Sequence, residues 1–146
     1  MPSHSKPCIT LLNPPNGPYT RPTYSHIASI SSPARLIYTA GQVGTLPDGS
    51  TVQGFEAQAK QAFINLKVAL EVAGATFRDI VKLTYYIVDL ETNIDAFRRV
   101  YVKFLTDGEG IHKAPSTLLS VAGLAKKEWF IEVEAVAAVR DLESKL

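Results

Sequence analysis

Cysteine is almost absent from this chain of 146 residues, and its scarcity excludes two kinds of site. Cys8 is the single cysteine, so neither an internal disulfide nor a cluster of thiolate metal ligands can form. The three histidines, His4, His26 and His112, are scattered and lack clustered carboxylates at metal-ligand spacing. The glycines follow neither a P-loop nor a dinucleotide-binding pattern. We therefore predict no metal and no cofactor.

Long apolar runs and a strong net charge are also lacking. No segment approaches the ~20 apolar residues of a membrane span. A formal net charge of +1 offers no electrostatic attraction for nucleic acid or an anionic membrane, so a small molecule is the expected partner. With one cysteine, a reducing compartment is the simplest interpretation, and we predict a cytoplasmic protein.

The length and composition of the chain predict one globular domain with irregular ends. A chain of this length with 46% hydrophobic residues can build its own core. Six of the nine prolines fall within residues 1–23, which predicts an irregular arm with room for a short strand at residues 8–12. Residues 24–140 form the predicted domain, and residues 141–146 a polar tail.

Two apolar periodicities predict the elements of that domain. Alternation with period two predicts strands, and spacing of three and four predicts helices. The predicted strands are residues 24–30, 35–39 and 80–89, and two more, joined by a short turn, within 114–137; the predicted helices are 54–73 and 92–105. One mixed sheet with both helices on one face accommodates this order, so the predicted fold class is α+β. A second apolar line on the first helix, Ile64, Val68 and Val72, favours extra burial over a subunit contact.

The strand near the end of the chain carries two carboxylates on one face. Glu132 and Glu134 are two residues apart, so both side chains leave the same side of the strand. Lys82 is the expected ion-pair partner of Glu134, which leaves Glu132 as the freer carboxylate. By alternation we place both on a mixed sheet face that forms a subunit interface around a small polar site, together with Lys82, Thr84, Tyr86, Ser116, Leu118, Ser120 and Phe130.

Five segments, in this order, resemble one protein family. They are YSHIASI, LIYTAGQVG, FEAQAKQAFINLKVALEVAGATFRDIVKLTYYIVDL, FRRVYVKF and FIEVEAVA, and they are similar to the Rid family of reactive intermediate deaminases, also called the YjgF family. The resemblance implies a chorismate-mutase-like fold with a mixed six-stranded sheet. It also implies a homotrimer with ligand sites between subunits, and the addition of water to a reactive imine or enamine with release of ammonia.

The resemblance also transfers site residues one at a time. The family's tyrosine falls on Tyr24, with Tyr19 as a rival. Its loop of serine, glycine and glutamine becomes Ala40-Gly41-Gln42, in which the serine is lost. Its acid on the last strand falls on Glu132.

The family's substrate-binding arginine has no counterpart. Its position falls on Ser116, or on Pro115 in a second alignment, and the nearby cysteine or threonine becomes Leu118. An arginine there binds a substrate carboxylate in a bidentate manner, so the usual amino-acid-derived imine is not the expected substrate. Arg98, which replaces the family's asparagine, is a candidate for a new cation.

These observations lead to two hypotheses. The first is a Rid-like enzyme with altered substrate, in which Glu132 is the acid or base and Tyr24 is a second catalytic residue that contacts the ligand. The expected ligand contacts are Ser116, Gly41, Ala40, Leu118 and Arg98, with His26 as a second-tier candidate. The second hypothesis is a small-ligand-binding trimer that retains the fold without catalysis.

Overall fold

The computed structural model describes residues 8–141, so part of the predicted arm (residues 1–7) and most of the predicted tail (142–146) lie outside the described residues. Its elements follow the chain in order. The strands are β1 (Ile9–Leu12), β2 (Ile27–Ile30), β3 (Ala34–Tyr38), β4 (Gln42–Val43), β5 (Ile80–Val88), β6 (Thr106–Asp107), β7 (Gly110–Ile111), β8 (Ser116–Val121) and β9 (Ile131–Arg140). The helices are α1 (Phe55–Val72) and α2 (Leu90–Leu105), with a 3-10 turn at Phe77–Asp79. Within residues 8–141 no helix is both long and apolar enough to cross a membrane.

The centre of the fold is a five-stranded mixed sheet. Its strands lie in the order β3-β9-β5-β8, and β4 continues the pairing of β3 along β9. β9 runs antiparallel to β3, β4 and β5, whereas β8 runs parallel to β5. Both helices pack on one face, where α1 contacts β9 and α2 contacts β5. The predicted α+β architecture of two helices on a mixed sheet is confirmed.

Two details of the predicted sheet differ from the structure. β1 and β2 pair with each other as a separate two-stranded ribbon, so the main sheet has five strands rather than six. The strands within residues 114–137 are not a hairpin, because β5 lies between β8 and β9 and pairs with both. The predicted short turn is the longer connection 122–130. Alternation along a single strand cannot reveal such an insertion, because it does not identify the neighbouring strand.

The core lies between the sheet and the helices. α1 contributes Phe63, Leu66 and Leu70, which are fully buried against the sheet. The helix ends before Gly74, whose φ of +78° is a left-handed conformation that glycine adopts without strain. The apolar line on α1 is exposed, with 43%, 54% and 86% of the side chains accessible for Ile64, Val68 and Val72, so the predicted extra burial is wrong.

A buried histidine and an exposed ion pair secure the segment between α2 and β8. His112 is buried, and its Nε2 lies 2.8 Å from the carbonyl oxygen of Ile80, which can only accept a hydrogen bond. Burial lowers the pKa of His112. Arg78 Nε donates to Asp107 Oδ2 at 2.7 Å, and this guanidinium lowers the pKa of Asp107 to about 2.

The lowered pKa of His112 predicts that the folded state loses stability at mildly acidic pH. The folded pKa of His112 lies below its model value of 6.5, so its contribution is present above that pH and is lost as pH falls through the folded pKa. We expect urea unfolding of the native sequence to show a lower free energy of unfolding at about pH 5 than at about pH 7.5. His112→Gln, which keeps a donor for the carbonyl, should reduce that difference.

Asp107→Asn is the matched control for this measurement. The pKa of Asp107 moves between 3.8 and about 2, both below the tested interval. The Asp107 carboxylate also raises the pKa of His112, so its substitution should lower stability at both pH values without reducing the difference between them. An unchanged pH dependence in His112→Gln would contradict the assignment.

Candidate functional site

The register of β8 places Ser116, Leu118 and Ser120 on the helix side of the sheet. Ser116 pairs with Leu83 and Leu118 with Tyr85, and both partners point into the helix-side core. Partners in a parallel ladder share a face, so Ser116 and Leu118 face α2. The prediction that they share the open face with Glu132 is therefore wrong, and the same holds for Ser120, which pairs with Ile87.

Four of the predicted site residues meet in one cavity. It has a volume of about 810 Å³ and lies between the arm, α2 and β8. Tyr24, Arg98, Ser116 and Leu118 all line it. The remaining lining residues are Tyr19, Arg21, Pro22, Thr23, Leu83, Tyr85, Ile94, Phe97, Tyr101, Val102, Leu105 and Ala114. This cavity has the concave shape of a small-molecule site, with a lining that is about equally polar and apolar.

Both rival tyrosines reach this cavity, but they are held differently. Tyr19 is 81% exposed, whereas Tyr24 is half-buried with its ring edge-to-face against His26 at a centroid distance of 5.5 Å. His26 is not among the lining residues, and its buried Nε2 has no hydrogen-bond partner within residues 8–141. The backbone N–H of His26 donates to Asn13 Oδ1 at 2.8 Å. His26 therefore positions the Tyr24 ring and does not itself line the cavity.

The carboxylate of Glu132 lies on the opposite, open face of the sheet, beside Gly41. Glu132 pairs with Tyr86 on β5 and with Val43 on β4. A Cβ built on Gly41 would lie only 1.8 Å from Glu132 Oε1, so the absence of a side chain at Gly41 makes room for the carboxylate. Within residues 8–141 this carboxylate makes no hydrogen bond or ion pair. It is half-buried and available to an incoming group.

Ala40 and Gly41 lie where the β3–β9 ladder is interrupted. Tyr38 pairs with Val136 and Gln42 with Val133, so three residues on one side face two on the other. This extra residue makes the backbone bulge. The Ala40 carbonyl accepts a hydrogen bond from Gln42 Nε2 at 3.2 Å. The bulge brings the backbone of residues 40–41 against Glu132.

Glu134 has a different partner from the predicted one. Tyr86 Oη donates to Glu134 Oε1 at 2.8 Å, and this bond to a carboxylate raises the pKa of Tyr86. Lys82 pairs in register with Val136, and its Nζ donates to Thr117 Oγ1 at 2.6 Å on the neighbouring strand β8. The predicted Lys82–Glu134 ion pair is therefore wrong. Glu134 nevertheless has a structural partner, whereas Glu132 has none within residues 8–141.

The predicted site residues therefore form two groups. One group lines the helix-side cavity, and the other, Glu132 with Ala40 and Gly41, lies on the open face across the sheet. A continuous hydrogen-bonded sheet separates them, so they cannot act on one small molecule within a single chain.

The cavity also contains residues that sequence patterns did not indicate. Arg21 follows no periodicity within the proline-rich arm, and no signal pointed to it. Tyr85, Phe97 and Tyr101 were recognisable only as core positions, yet they form a wall of the cavity.

Comparison with known proteins places the chain among similar sequences and structures. A family model described as Endoribonuclease L-PSP matches residues 15–139. Protein HMF1 of Saccharomyces cerevisiae is 30% identical over 137 residues, which cover 91% of this chain and 99% of that protein. The 2-iminobutanoate/2-iminopropanoate deaminase of Salmonella typhimurium is 34% identical over 106 residues, which cover 72% and 80% respectively. The crystal structure of YyfB from Yersinia pestis, described as a protein of unknown function of the conserved Rid family, superposes with a TM-score of 0.79 at 32% identity and covers 90% of this chain and 99% of that one.

Because Gly41 lies so close to Glu132, adding a methyl group at position 41 should displace the Glu132 carboxylate, whereas the same change at an open glycine should not. Gly41→Ala should move the carboxylate, because the new Cβ would occupy its position. We expect a crystal structure of the variant to show Glu132 in another rotamer, with a loss of about 1–2 kcal/mol in the free energy of unfolding. Gly123→Ala is the control, because a Cβ there meets nothing within 4 Å. An unmoved Glu132 would contradict the prediction.

Proposed function

The chain belongs to the family described as Endoribonuclease L-PSP, also called the Rid or YjgF family, and on this premise we propose that it is a Rid-like hydrolase of small reactive imines or enamines, with a substrate different from those of the deaminase branch. The observation that carries the proposal is the unpaired carboxylate of Glu132 beside Gly41. Relatives named as 2-iminobutanoate/2-iminopropanoate deaminases support this class of chemistry.

The proposed reaction is hydrolysis of a carbon–nitrogen double bond. Water adds its oxygen to the imine carbon, and the nitrogen takes up a proton to give a carbinolamine. The carbon–nitrogen bond then breaks, and ammonia and a carbonyl compound leave. Glu132 accepts a proton from the attacking water and gives it to the imine nitrogen, and it then takes the proton of the carbinolamine hydroxyl and gives it to the departing nitrogen. Both protons therefore come from water, and no external oxidant or reductant is needed. Ala40 and Gly41 contribute backbone contacts at this carboxylate.

The active site is completed by a second copy of the chain. The open sheet face that carries Glu132 exposes apolar side chains, with Leu36, Tyr38 and Leu119 accessible to 46%, 73% and 40%. Such a surface favours burial against another subunit. In the proposed homotrimer, Glu132 and Gly41 of one subunit face the cavity with Tyr24, Arg98, Ser116 and Leu118 of the next. This arrangement brings together two groups that one chain holds apart.

Ser116 is the reason for proposing a different substrate. The deaminase branch is expected to hold a substrate carboxylate with an arginine at this position, and a serine hydroxyl provides neither its charge nor its fork of donors. Ser116 can donate a single hydrogen bond to a ligand. The imine must therefore lack an α-carboxylate or be anchored by another cation.

Two other functions are less well supported. RNA cleavage, which the family description names, would require a basic surface, and the formal net charge of the chain is only +1. A ligand-binding trimer without catalysis is the second candidate, because it would use the same cavity. The assay below distinguishes the second candidate from the enzyme.

Removal of the Glu132 carboxylate should abolish catalysis and leave the fold intact. Imines generated in situ from several amino acids, small and aromatic, and from the matching amines without a carboxylate, are followed with the purified protein. We expect accelerated decay, and a loss of about 100-fold or more in Glu132→Gln. Glu134→Gln is the matched control, because it lies on the same strand face but is bonded to Tyr86. Absence of acceleration with every imine would favour the non-catalytic binding protein.

The assembly of the site from two subunits predicts complementation between inactive variants. Glu132→Gln removes the carboxylate, and Ser116→Trp fills the cavity. Co-expressed with different tags and purified as mixed trimers, they should recover about a third of native activity, because one of the three interfaces in every mixed trimer combines an intact carboxylate with an intact cavity. Each variant alone should be inactive. Mixed oligomers without activity would show that the site does not lie between subunits.

A further inference from the structure

The cavity between the arm, α2 and β8 has an aromatic wall. Tyr85 and Phe97 meet at a centroid distance of 4.7 Å, and Phe97 stacks on Tyr101 at 5.0 Å. Burial raises the pKa of Tyr85, so this wall is uncharged at neutral pH. Aliphatic side chains of Leu83, Leu105 and Ile94 extend it. Tyr85 and Phe97 are only 3% and 2% exposed, so an apolar group that entered the cavity would contact mainly the half-buried Tyr101 in front of them.

The size of the cavity exceeds what a short imino acid requires. Its volume of about 810 Å³ lies towards the upper end of the range typical of small-molecule sites, about 300–1,000 Å³. An imine with only three or four carbons would contact a small part of the aromatic wall. The shape therefore favours a ligand with a large apolar group.

Two arginines and no acids contribute charge to the cavity. Arg21 comes from the arm and Arg98 from α2, and none of the described lining residues is acidic. Arg21 makes no ion pair with any residue in the 8–141 range. Arg98 pairs with Asp95 at 3.3 Å, but both side chains are largely exposed, and such i,i+3 pairs are weak. Both guanidinium groups are thus available to a ligand anion.

A carboxylate is the anion that an imine derived from an amino acid would bring to these two arginines. Guanidinium groups bind carboxylates through paired, charge-assisted hydrogen bonds. The arm and α2 would supply these groups in place of the strand position that Ser116 occupies. A carboxylate at the two arginines allows the attached side chain to lie on the aromatic wall.

We propose that this cavity selects a carboxylate with an aromatic or similarly large apolar side chain, held by Arg21 and Arg98 and packed on Tyr85, Phe97 and Tyr101. That such a ligand is the substrate rests on the function proposed above. The preferred imines would then derive from aromatic amino acids rather than from alanine or threonine.

Binding to the full-length protein tests the ligand class without reference to catalysis. The probes are 3-phenylpropanoate, its neutral amide 3-phenylpropanamide, and propanoate, each titrated calorimetrically. We expect 3-phenylpropanoate to bind at least about tenfold more tightly than either of the other two. Arg21→Gln and Arg98→Gln should each weaken its binding about tenfold.

Arg99→Gln is the matched control. Arg99 is adjacent to Arg98 in sequence but pairs with Glu56 on α1 at 3.2 Å and does not line the cavity. It should leave the affinity for 3-phenylpropanoate unchanged. Thermal unfolding of all three variants verifies that each is folded. Equal affinity for the acid and its amide, or affinity insensitive to both cavity arginines, would overturn the proposal.

A kinetic comparison separates this proposal from the proposed function. Imines generated from phenylalanine and alanine are compared with the native protein and with Arg98→Gln. A preference for the phenylalanine imine that is lost in Arg98→Gln supports the substrate class. Hydrolysis of both imines at equal rates, unaffected by the variant, overturns it and leaves the proposed function standing. Arginine-dependent binding of 3-phenylpropanoate without hydrolysis of any imine supports the ligand class and refutes the enzyme.

Discussion

The position of β5 in the middle of the sheet is the constraint on which the rest of the structure depends. β5 pairs in parallel with β8 on one side and antiparallel with β9 on the other. Because neighbouring strands share their faces in register, the orientation of β5 determines where the site residues on β8 and β9 point. Leu83 and Tyr85 face the helices, and their partners in register on β8, Ser116 and Leu118, face the same side. Tyr86 faces the open side, as does its partner Glu132.

The separation of the two groups follows from that register and gives the single chain an incomplete site. Gly41 and Glu132 provide a carboxylate with space beside it but no enclosing cavity. Tyr24, Arg98 and Ser116 line a cavity without an acid. The exposed apolar residues of the open face are the physical reason to expect association, since their burial against another subunit is favourable. In this interpretation, assembly serves catalysis as well as stability.

The replacement of the expected arginine by Ser116 changes the way an anion can be held. Arg21 and Arg98 reach the same cavity from the arm and from α2, so the charge lies on elements outside the sheet. If Arg21 and Arg98 hold the ligand anion in place of an arginine on β8, a different part of the ligand would face Glu132. In the proposed binding mode, the aromatic cluster of Tyr85, Phe97 and Tyr101 serves ligand recognition as well as the core. The same residues serve both purposes because the cavity borders the core.

The sequence by itself determined the local elements and the chemistry they carry. Helical spacing located both helices within two residues of their ends, and alternation placed Glu132 and Glu134 together on one strand face, because both patterns arise within one element. The family resemblance added the acid, the glycine beside it and the missing arginine. The tertiary structure alone decided which strands are neighbours, that Ser116 and Glu132 lie on opposite faces, that Tyr86 rather than Lys82 bonds Glu134, and that Arg21 reaches the cavity. These depend on pairing between segments far apart in the chain, and no periodicity within one segment encodes that pairing.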